Sequence, residues 1–280
     1  KINLDYEHIV IDNSSTDKTI EILRNICRND KNVKVIINSR NFGHIRSPYY
    51  GILQSYADAV IYLASDFQNP PELIPNFIEQ WEEGFKLVMA IKNKSQESFV
   101  FSFLRKNYYR ILDNVSDISV IKDSTGFGLY DSEVIKELRK INEPYPFMRG
   151  LICDLGYSVK TVNFTQPERK KGITKNNFYT LYDIGMLGII SHSKVPIRLA
   201  AFLGFLIGSL SFLIGLIYFI TKLIYWDSFP MGIAPLIIGL FFFIGLQFIF
   251  IGIIGEYIGS IHTYSQNRPL VVEKERINFD

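Results

Sequence analysis

The run His8-Ile9-Val10-Ile11-Asp12-Asn13-Ser14-Ser15-Thr16-Asp17 sets a short apolar strand against a polar turn, and Lys18 to Arg28 behind it carries a helical pattern. The same order then repeats. Val33 to Ile37 is a second strand, followed by Arg40-Asn41-Phe42-Gly43-His44 and a helical stretch to Ala57. Ala59 to Leu63 is a third, ending in Ala64-Ser65-Asp66-Phe67-Gln68-Asn69-Pro70-Pro71-Glu72, and Leu87 to Ile91 is a fourth. Strands alternating with helices predict an α/β domain with a mainly parallel sheet, here over residues 1–172. Ligands of open α/β sheets lie at the carboxyl ends of the strands, so Asp12, Arg40 and Asp66 are expected on one rim.

Outward from that domain the composition changes. The 280 residues are 48% hydrophobic and 21% charged, with 30 Lys+Arg against 28 Asp+Glu and a mean hydropathy of +0.11. Leu199 to Ile220 and Ile233 to Ile254 hold no Asp, Glu, Lys or Arg. A bilayer core needs about 20 apolar residues per helix, so two spans are expected, over 198–221 and 232–257. The connector contains Lys222, Asp227, Pro230 and Gly232, which suits a tight turn. Lys194 and Arg198 precede the first span, and Arg268, Lys274 and Arg276 follow the second; the positive-inside rule then puts the large domain and the tail, 258–280, in the cytoplasm. Residues 173–197, rich in Phe, Tyr, Leu and Ile, read as an amphipathic helix at the headgroup level. Glycines spaced through both spans would permit close packing within the hairpin or between chains, which leaves a homo-oligomer open.

The composition excludes disorder, a disulfide scaffold and a many-helix transporter. A net charge of +2 lacks the broad basic surface that nucleic acid requires, so no nucleic-acid partner is expected. Cys27 and Cys153 are far apart and form no thiolate motif.

Residue types suggest the chemistry. Asp12 at a strand end can accept from a ribose hydroxyl or a base N–H, although Asn13, Ser15 and Asp17 equally suit turn and cap positions. Asp66 with Gln68 and Asn69 offers oxygen ligands to Mg²⁺ or Mn²⁺, ions that also bind diphosphate oxygens.

Taken in order, Ile11 to Asp17, Arg40 to His44 and Ser65 to Glu72 resemble the family 2 glycosyltransferases, and more narrowly their polyprenyl-phosphate branch of bactoprenol glucosyltransferases and dolichol-phosphate mannose synthases. Further matches are Phe147-Met148-Arg149-Gly150, Arg169 to Lys175, Ile254 to Gly259 and Arg268-Pro269. The resemblance implies a GT-A (Rossmann-like) fold and an inverting hexosyltransferase. It would pass a sugar from a nucleotide sugar, a UDP-hexose foremost, to a polyprenyl phosphate at the inner face of a bacterial membrane, feeding surface-glycan synthesis. By position, Asp12, Asn13 and Arg40 would meet the nucleotide. Asp66 and Gln68 would hold the metal, with Asp66 also the catalytic position, and Arg149, Arg169 and Lys175 would hold phosphates.

Three departures from the family pattern stand out. Its Asp-x-Asp reads Ala64-Ser65-Asp66 here, and its loop acid corresponds to Gly126, leaving Asp123 or Asp131 to substitute. The chain opens at Lys1, just before the family's second strand, so the first strand is expected to be absent. An ionised lipid phosphate is a nucleophile without a protein base, since its second pKa is about 6. Two other readings stay open. One is a degenerate membrane protein that binds a nucleotide sugar, and the other is a polysaccharide synthase, which the lack of a Gln-x-x-Arg-Trp motif at Trp81 disfavours.

Overall fold

Strand β1 (His8–Asp12) pairs in parallel with β2 (Val33–Asn38), and helix α1 (Thr19–Asn29) crosses between them. The crossing is driven by spacing. Ile20, Leu23 and Cys27 fall on one face of α1 and pack on Val33, Val35 and Ile37. The architecture comes from a computed structural model, which describes residues 4–93, 121, 124–167, 185–186, 189–190, 193–225 and 233–279.

The opposite edge of β2 is covered by β7 (Glu273–Ile277), which runs antiparallel and completes a three-stranded sheet in the order β1-β2-β7. A second sheet contains β3 (Ala59–Tyr62), β4 (Leu87–Lys92), β5 (Ser124–Asp131) and β6 (Val159–Phe164), in the order β3-β5-β4-β6. Here β5 is antiparallel to both β3 and β4, while β4 and β6 are parallel. The expected mainly parallel sheet is therefore corrected to a mixed α/β arrangement in two sheets. The cause is that β5 enters between two strands of the opposite direction, and that the last strand returns from beyond the apolar helices.

Alternation along the strands builds two cores. Leu87 and Met89 face Tyr49 and Ile52 of α2 (Gly43–Leu53), Val134, Ile135 and Leu138 of α4 (Ser132–Lys140), and Leu151 and Ile152 of α5 (Met148–Asp154). Val88 and Ala90 point the other way, to Phe77 of α3 (Ile74–Glu82), Phe127, Leu129 and Phe164. Phe127 stands edge-on to Phe77 at 5.0 Å and to Phe164 at 5.9 Å. At Gly128 the strands approach so closely that a Cβ would lie 2.3 Å from the Val88 carbonyl oxygen, so only glycine fits.

Helix α2 joins the two sheets. It packs on β1, where Gly51 meets Ile11, and on α4, where the Tyr49 hydroxyl donates to the Leu138 carbonyl at 3.1 Å. Arg139 of α4 donates to the Leu53 and Ser55 carbonyls and lies 4.2 Å from the Tyr56 ring centroid.

Beyond β6 come α6 (Val195–Ile224) and α7 (Ile233–Ser265). Among the described residues one helix is long and apolar enough to cross a membrane. That segment is Phe242–Ser265, with a mean hydropathy of 1.8 and none of it buried; the described apolar part of α6 is Val195–Ser211. The connector, 226–232, and most of the expected interfacial helix lie outside the described residues. A Cβ added at Gly204 would lie 3.9 Å from the Phe250 ring, whereas one added at Gly208, Gly239, Gly245, Gly252 or Gly255 would meet nothing within 4 Å among the described residues.

The segment read from sequence as a tail is tied to the domain. Ser39 N donates to the Val272 carbonyl at 2.9 Å, Arg24 pairs with Glu275 at 2.5 Å, and the Asn278 amide donates to Cys27 and Val33 carbonyls at 2.8 and 2.9 Å. Tyr264 at the end of α7 donates to Glu143 at 2.9 Å, and Asn142 to Asn267 at 3.0 Å.

Two predictions follow from these contacts. Asn278→Ala strips hydrogen bonds from buried carbonyls and will lower stability by about 1–3 kcal/mol, read as the shift of the unfolding transition of the full chain in detergent. Asp131, the N-cap of α4, is buried, which opposes its ionisation, but Trp81 Nε1, Glu133 N and Lys86 together hold its pKa below the ordinary 3.8. Its contribution is present above the unfolded pKa and lost as pH falls through the lower, folded one. Stability will therefore decline on acidification below about pH 4, and Asp131→Asn will flatten that decline while costing about 1–2 kcal/mol at pH 7, measured by unfolding across pH.

Candidate active site

The functional candidates gather in two groups, each built by a strand end. The first lies where β1 and β2 finish. Asp12 is 5% exposed, and its two carboxylate oxygens accept from Ser15 Oγ at 2.5 Å and Ser15 N at 2.9 Å, closing the turn into α1. Ser14 within that turn has a φ of 63°, a conformation the side-chain hydrogen bonds enforce. Asn13 joins the two loops. Its Oδ1 accepts from Asn38 Nδ2 at 2.9 Å and Phe42 N at 3.3 Å, and its Nδ2 donates to the Gly43 carbonyl at 3.2 Å. That is a positioning role for an amide whose hydrogen-bonding groups are largely spent. Arg40 remains exposed, its guanidinium 4.1 Å from the Phe42 ring centroid.

The second group forms past the end of β3. Asp66 Oδ1 accepts from Gln68 N at 3.1 Å, and Phe67 between them has a φ of 61°. This tight turn holds the Asp66 carboxylate and the Gln68 backbone close together. Tyr62, the last residue of β3, is held neutral. Burial pushes its phenol pKa up, the negative charge of Asp66 adds to that, and Arg149 of α5 opposes it. Asp66 and Arg149, two of the sequence candidates, therefore act on one hydroxyl. Tyr130 stands beside them, fully buried, with its hydroxyl donating to the Gly126 carbonyl at 2.6 Å. Its pKa is raised strongly by burial and further by Tyr62, with Arg149 pulling against both.

Gly126 explains the lost carboxylate of the family pattern. A Cβ there would meet Tyr62 ring carbons at 3.8 Å and the Tyr130 hydroxyl at 4.0 Å, which is ordinary contact. Space is thus available. The backbone is the obstacle, because φ is +85°, a region that costs an L-residue about 1–2 kcal/mol.

Asp131 is corrected as a substitute base. In the β3–β5 register it faces Ala59, whereas Tyr62 faces Gly128, so Asp131 sits at the end of β3 away from Asp66. Its carboxylate is occupied by Trp81 at 2.7 Å and Lys86 at 3.3 Å. Asp123, Arg169 and Lys175 lie outside the described residues.

No group of three or more His, Cys, Asp or Glu side chains stands together among the described residues. Asp66 with the Gln68 amide supplies at most two hard oxygen ligands. That set fits an ion such as Mg²⁺, which keeps water and substrate phosphate oxygens in its shell, and does not fit a cage built wholly of protein. Sequence reasoning missed Tyr62 and Tyr130. Tyr62 carried a signal, an aromatic with a polar tip four residues before Asp66 at the mouth of an apolar strand.

Residues 2–139 match the family described as glycosyl transferase family 2. Over 276 residues, 98% of this chain and 85% of the relative, the sequence is 35% identical to the uncharacterized glycosyltransferase YkcC of Bacillus subtilis (strain 168). It is 34% identical over 275 residues to the putative glycosyltransferase CsbB of the same organism, covering 98% of this chain and 83% of the relative. The bactoprenol glucosyl transferase of Shigella phage SfV is 31% identical over 271 residues, 96% of this chain and 87% of the relative. With the mixed α/β sheets and the acidic turn after β3, these similarities lead to one assignment: the chain belongs to the family 2 glycosyltransferases.

Proposed function

We propose that the protein transfers a hexose, with inversion, from a UDP-sugar to undecaprenyl or another polyprenyl phosphate at the cytoplasmic face of a bacterial inner membrane, for surface-glycan or O-antigen modification. The observation that carries the reading is the tight Asp66 turn past the end of β3, whose charge and that of Arg149 on α5 act in opposite senses on the buried Tyr62 phenol. The relatives named bactoprenol glucosyl transferase support the acceptor class.

In this reading the acceptor phosphate oxygen attacks C1 of the sugar, the bond from C1 to the diphosphate oxygen breaks, and the nucleoside diphosphate leaves. The acceptor is already ionised near neutral pH, so no side chain has to remove a proton, in keeping with Gly126 where a carboxylate would stand. Asp12 and Arg40 bind the nucleotide half, with Asn13 fixing the loop that carries Arg40. Asp66 and Gln68 would hold Mg²⁺ or Mn²⁺, and such an ion would supply positive charge to the diphosphate oxygens. Arg149 binds a phosphate, and Arg169 and Lys175 join it by their place in the family pattern. Tyr62 and Tyr130, kept as neutral hydroxyls, orient polar atoms without adding charge.

Two crossings by α6 and α7 complete the proposal. The chain leaves the domain after β6 and re-enters it as β7, so whatever lies between crosses the membrane an even number of times or not at all. With Phe242–Ser265 as one crossing, α6 is the available partner. Lys194 and Arg198 on one helix and Arg268, Lys274 and Arg276 after the other favour the cytoplasm for the shared side.

Membranes holding the full chain, given radiolabelled UDP-glucose and undecaprenyl phosphate with Mg²⁺, will yield an organic-soluble labelled product. Asp66→Ala will reduce its rate by roughly 100-fold or more at unchanged membrane content. Label entering polymer instead of lipid would overturn the acceptor assignment, and turnover retained by Asp66→Ala would overturn the role of that carboxylate. For topology, Ser228→Cys and Lys274→Cys will react with a membrane-impermeant maleimide from opposite faces of sealed vesicles; labelling from one face would exclude the two-crossing arrangement.

A further inference from the structure

Helix α2 carries an arginine that the reaction outlined above does not use. Arg46 donates through Nη2 to the Pro269 carbonyl at 2.5 Å, while its Nε is buried and has no hydrogen-bond partner among the described residues. Arg40 and Arg46 both lie on the Phe42 ring, at 4.1 and 5.3 Å from its centroid. Arg268 comes from the segment after α7, immediately before the carbonyl that Arg46 grips. Two guanidinium groups therefore share the Phe42 ring, and the backbone of the segment that carries Arg268 is held beside one of them. None of these three arginines pairs with a carboxylate among the described residues, where the ion pairs involve Arg24, Lys34, Lys86, Lys140 and Arg276.

Such a cluster is unfavourable when empty. Burial lowers the pKa of Arg46, the charges of Arg40 and Arg268 lower it further, and only the nearby Tyr145 hydroxyl acts in the other sense. Like charges held together with a buried donor left over define a site short of an anion. A carboxylate offers two oxygens and one charge, whereas a phosphate group offers three or four oxygens and up to two charges. Guanidinium forks from three directions match the phosphate.

We propose that Arg40, Arg46 and Arg268 form a phosphate-binding site between the segment after α7 and the start of α2. The ligand reaches its phosphate into the cluster and bridges Arg268 of that segment with Arg40 and Arg46 of the domain. Two sources of that group are within reach. The end of β2 leads to Arg40, which the proposed reaction gives to a soluble nucleotide, and Arg268 follows three residues after the end of the apolar α7, where a lipid phosphate would be the source. The site rests in part on the proposed reaction, with which it shares Arg40, whereas Arg46 and Arg268 have no role in that reaction.

The test uses the full chain, in detergent for the soluble arm and in nanodiscs for the lipid arm. Binding of inorganic pyrophosphate is measured by calorimetry. Association of phosphatidylglycerol, against phosphatidylcholine, is measured by lipid retention in native mass spectrometry. Arg46→Gln and Arg268→Gln will each weaken pyrophosphate binding, or phosphatidylglycerol retention, roughly tenfold, and the arm that responds identifies the source. Lys136→Gln, an equal loss of charge at an exposed position on α4, will change neither. Wild-type behaviour of both arginine variants in both arms would overturn the site, as would an equal loss in all three variants, which would mean diffuse attraction. Arg268 is exposed, so Arg268→Gln decides the matter even if Arg46→Gln fails to fold. Loss of phosphate binding with retained transfer, or the converse, separates this inference from the proposed reaction.

Discussion

The antiparallel ladder between β2 and β7 is the constraint from which most of the arrangement follows. Val35, Ile36 and Ile37 are buried in the central strand of a three-stranded sheet, where Glu273–Ile277 pairs with the outer backbone edge that would otherwise be open. A backbone ladder cannot form through a bilayer, so the domain and the residues after α7 must share one side. The same pairing draws Pro269 and Arg268 beside Arg46, and anchors the foot of α7 through Tyr264 on the loop that leads to α5. Helix α5 carries Arg149. The apolar helix is thus tied to the loop that leads into the helix bearing Arg149, whose charge acts on Tyr62.

Local pattern was enough to identify β1 through β4 and α1, because apolar runs of four to six residues bounded by turns leave few alternatives. The direction of pairing was not legible. β5 contains Gly126 and Gly128 and reads as a loop, yet it is the central antiparallel strand, and its glycines are what allow β4 to approach. β7 was hidden for a different reason. Glu273-Lys274-Glu275-Arg276-Ile277 looks like a solvated tail by charge, and becomes a strand only because β2 offers an open edge and Arg24 an ion partner. Such long-range pairing leaves no local trace.

The site divides in the same way. Asp66 was found from its place after a strand, and Arg149 from its motif; the charges of both act on the Tyr62 phenol. Asn13 was chosen for its polarity and turned out to be a tie between loops, since an amide in a turn serves the backbone first. Asp131 was chosen by proximity in sequence to Gly126, but strand residues separated by several positions lie at opposite ends of the ladder. Arg46 was passed over because one basic residue in a helix is unremarkable until Arg40 and Arg268 are seen around it.

The β2–β7 ladder also imposes an order in time. Everything in the first sheet except β7 is made early in synthesis, and the strand that covers β2 is made only after α6 and α7 have left the ribosome. Until then β2 presents an open edge, the kind of surface that pairs with foreign strands. Completion of the soluble sheet is therefore scheduled behind passage of the apolar helices to their final place, and a nascent chain whose helices were held back would carry an unfinished domain. Folding of the water-exposed half thereby reports on the fate of the greasy half.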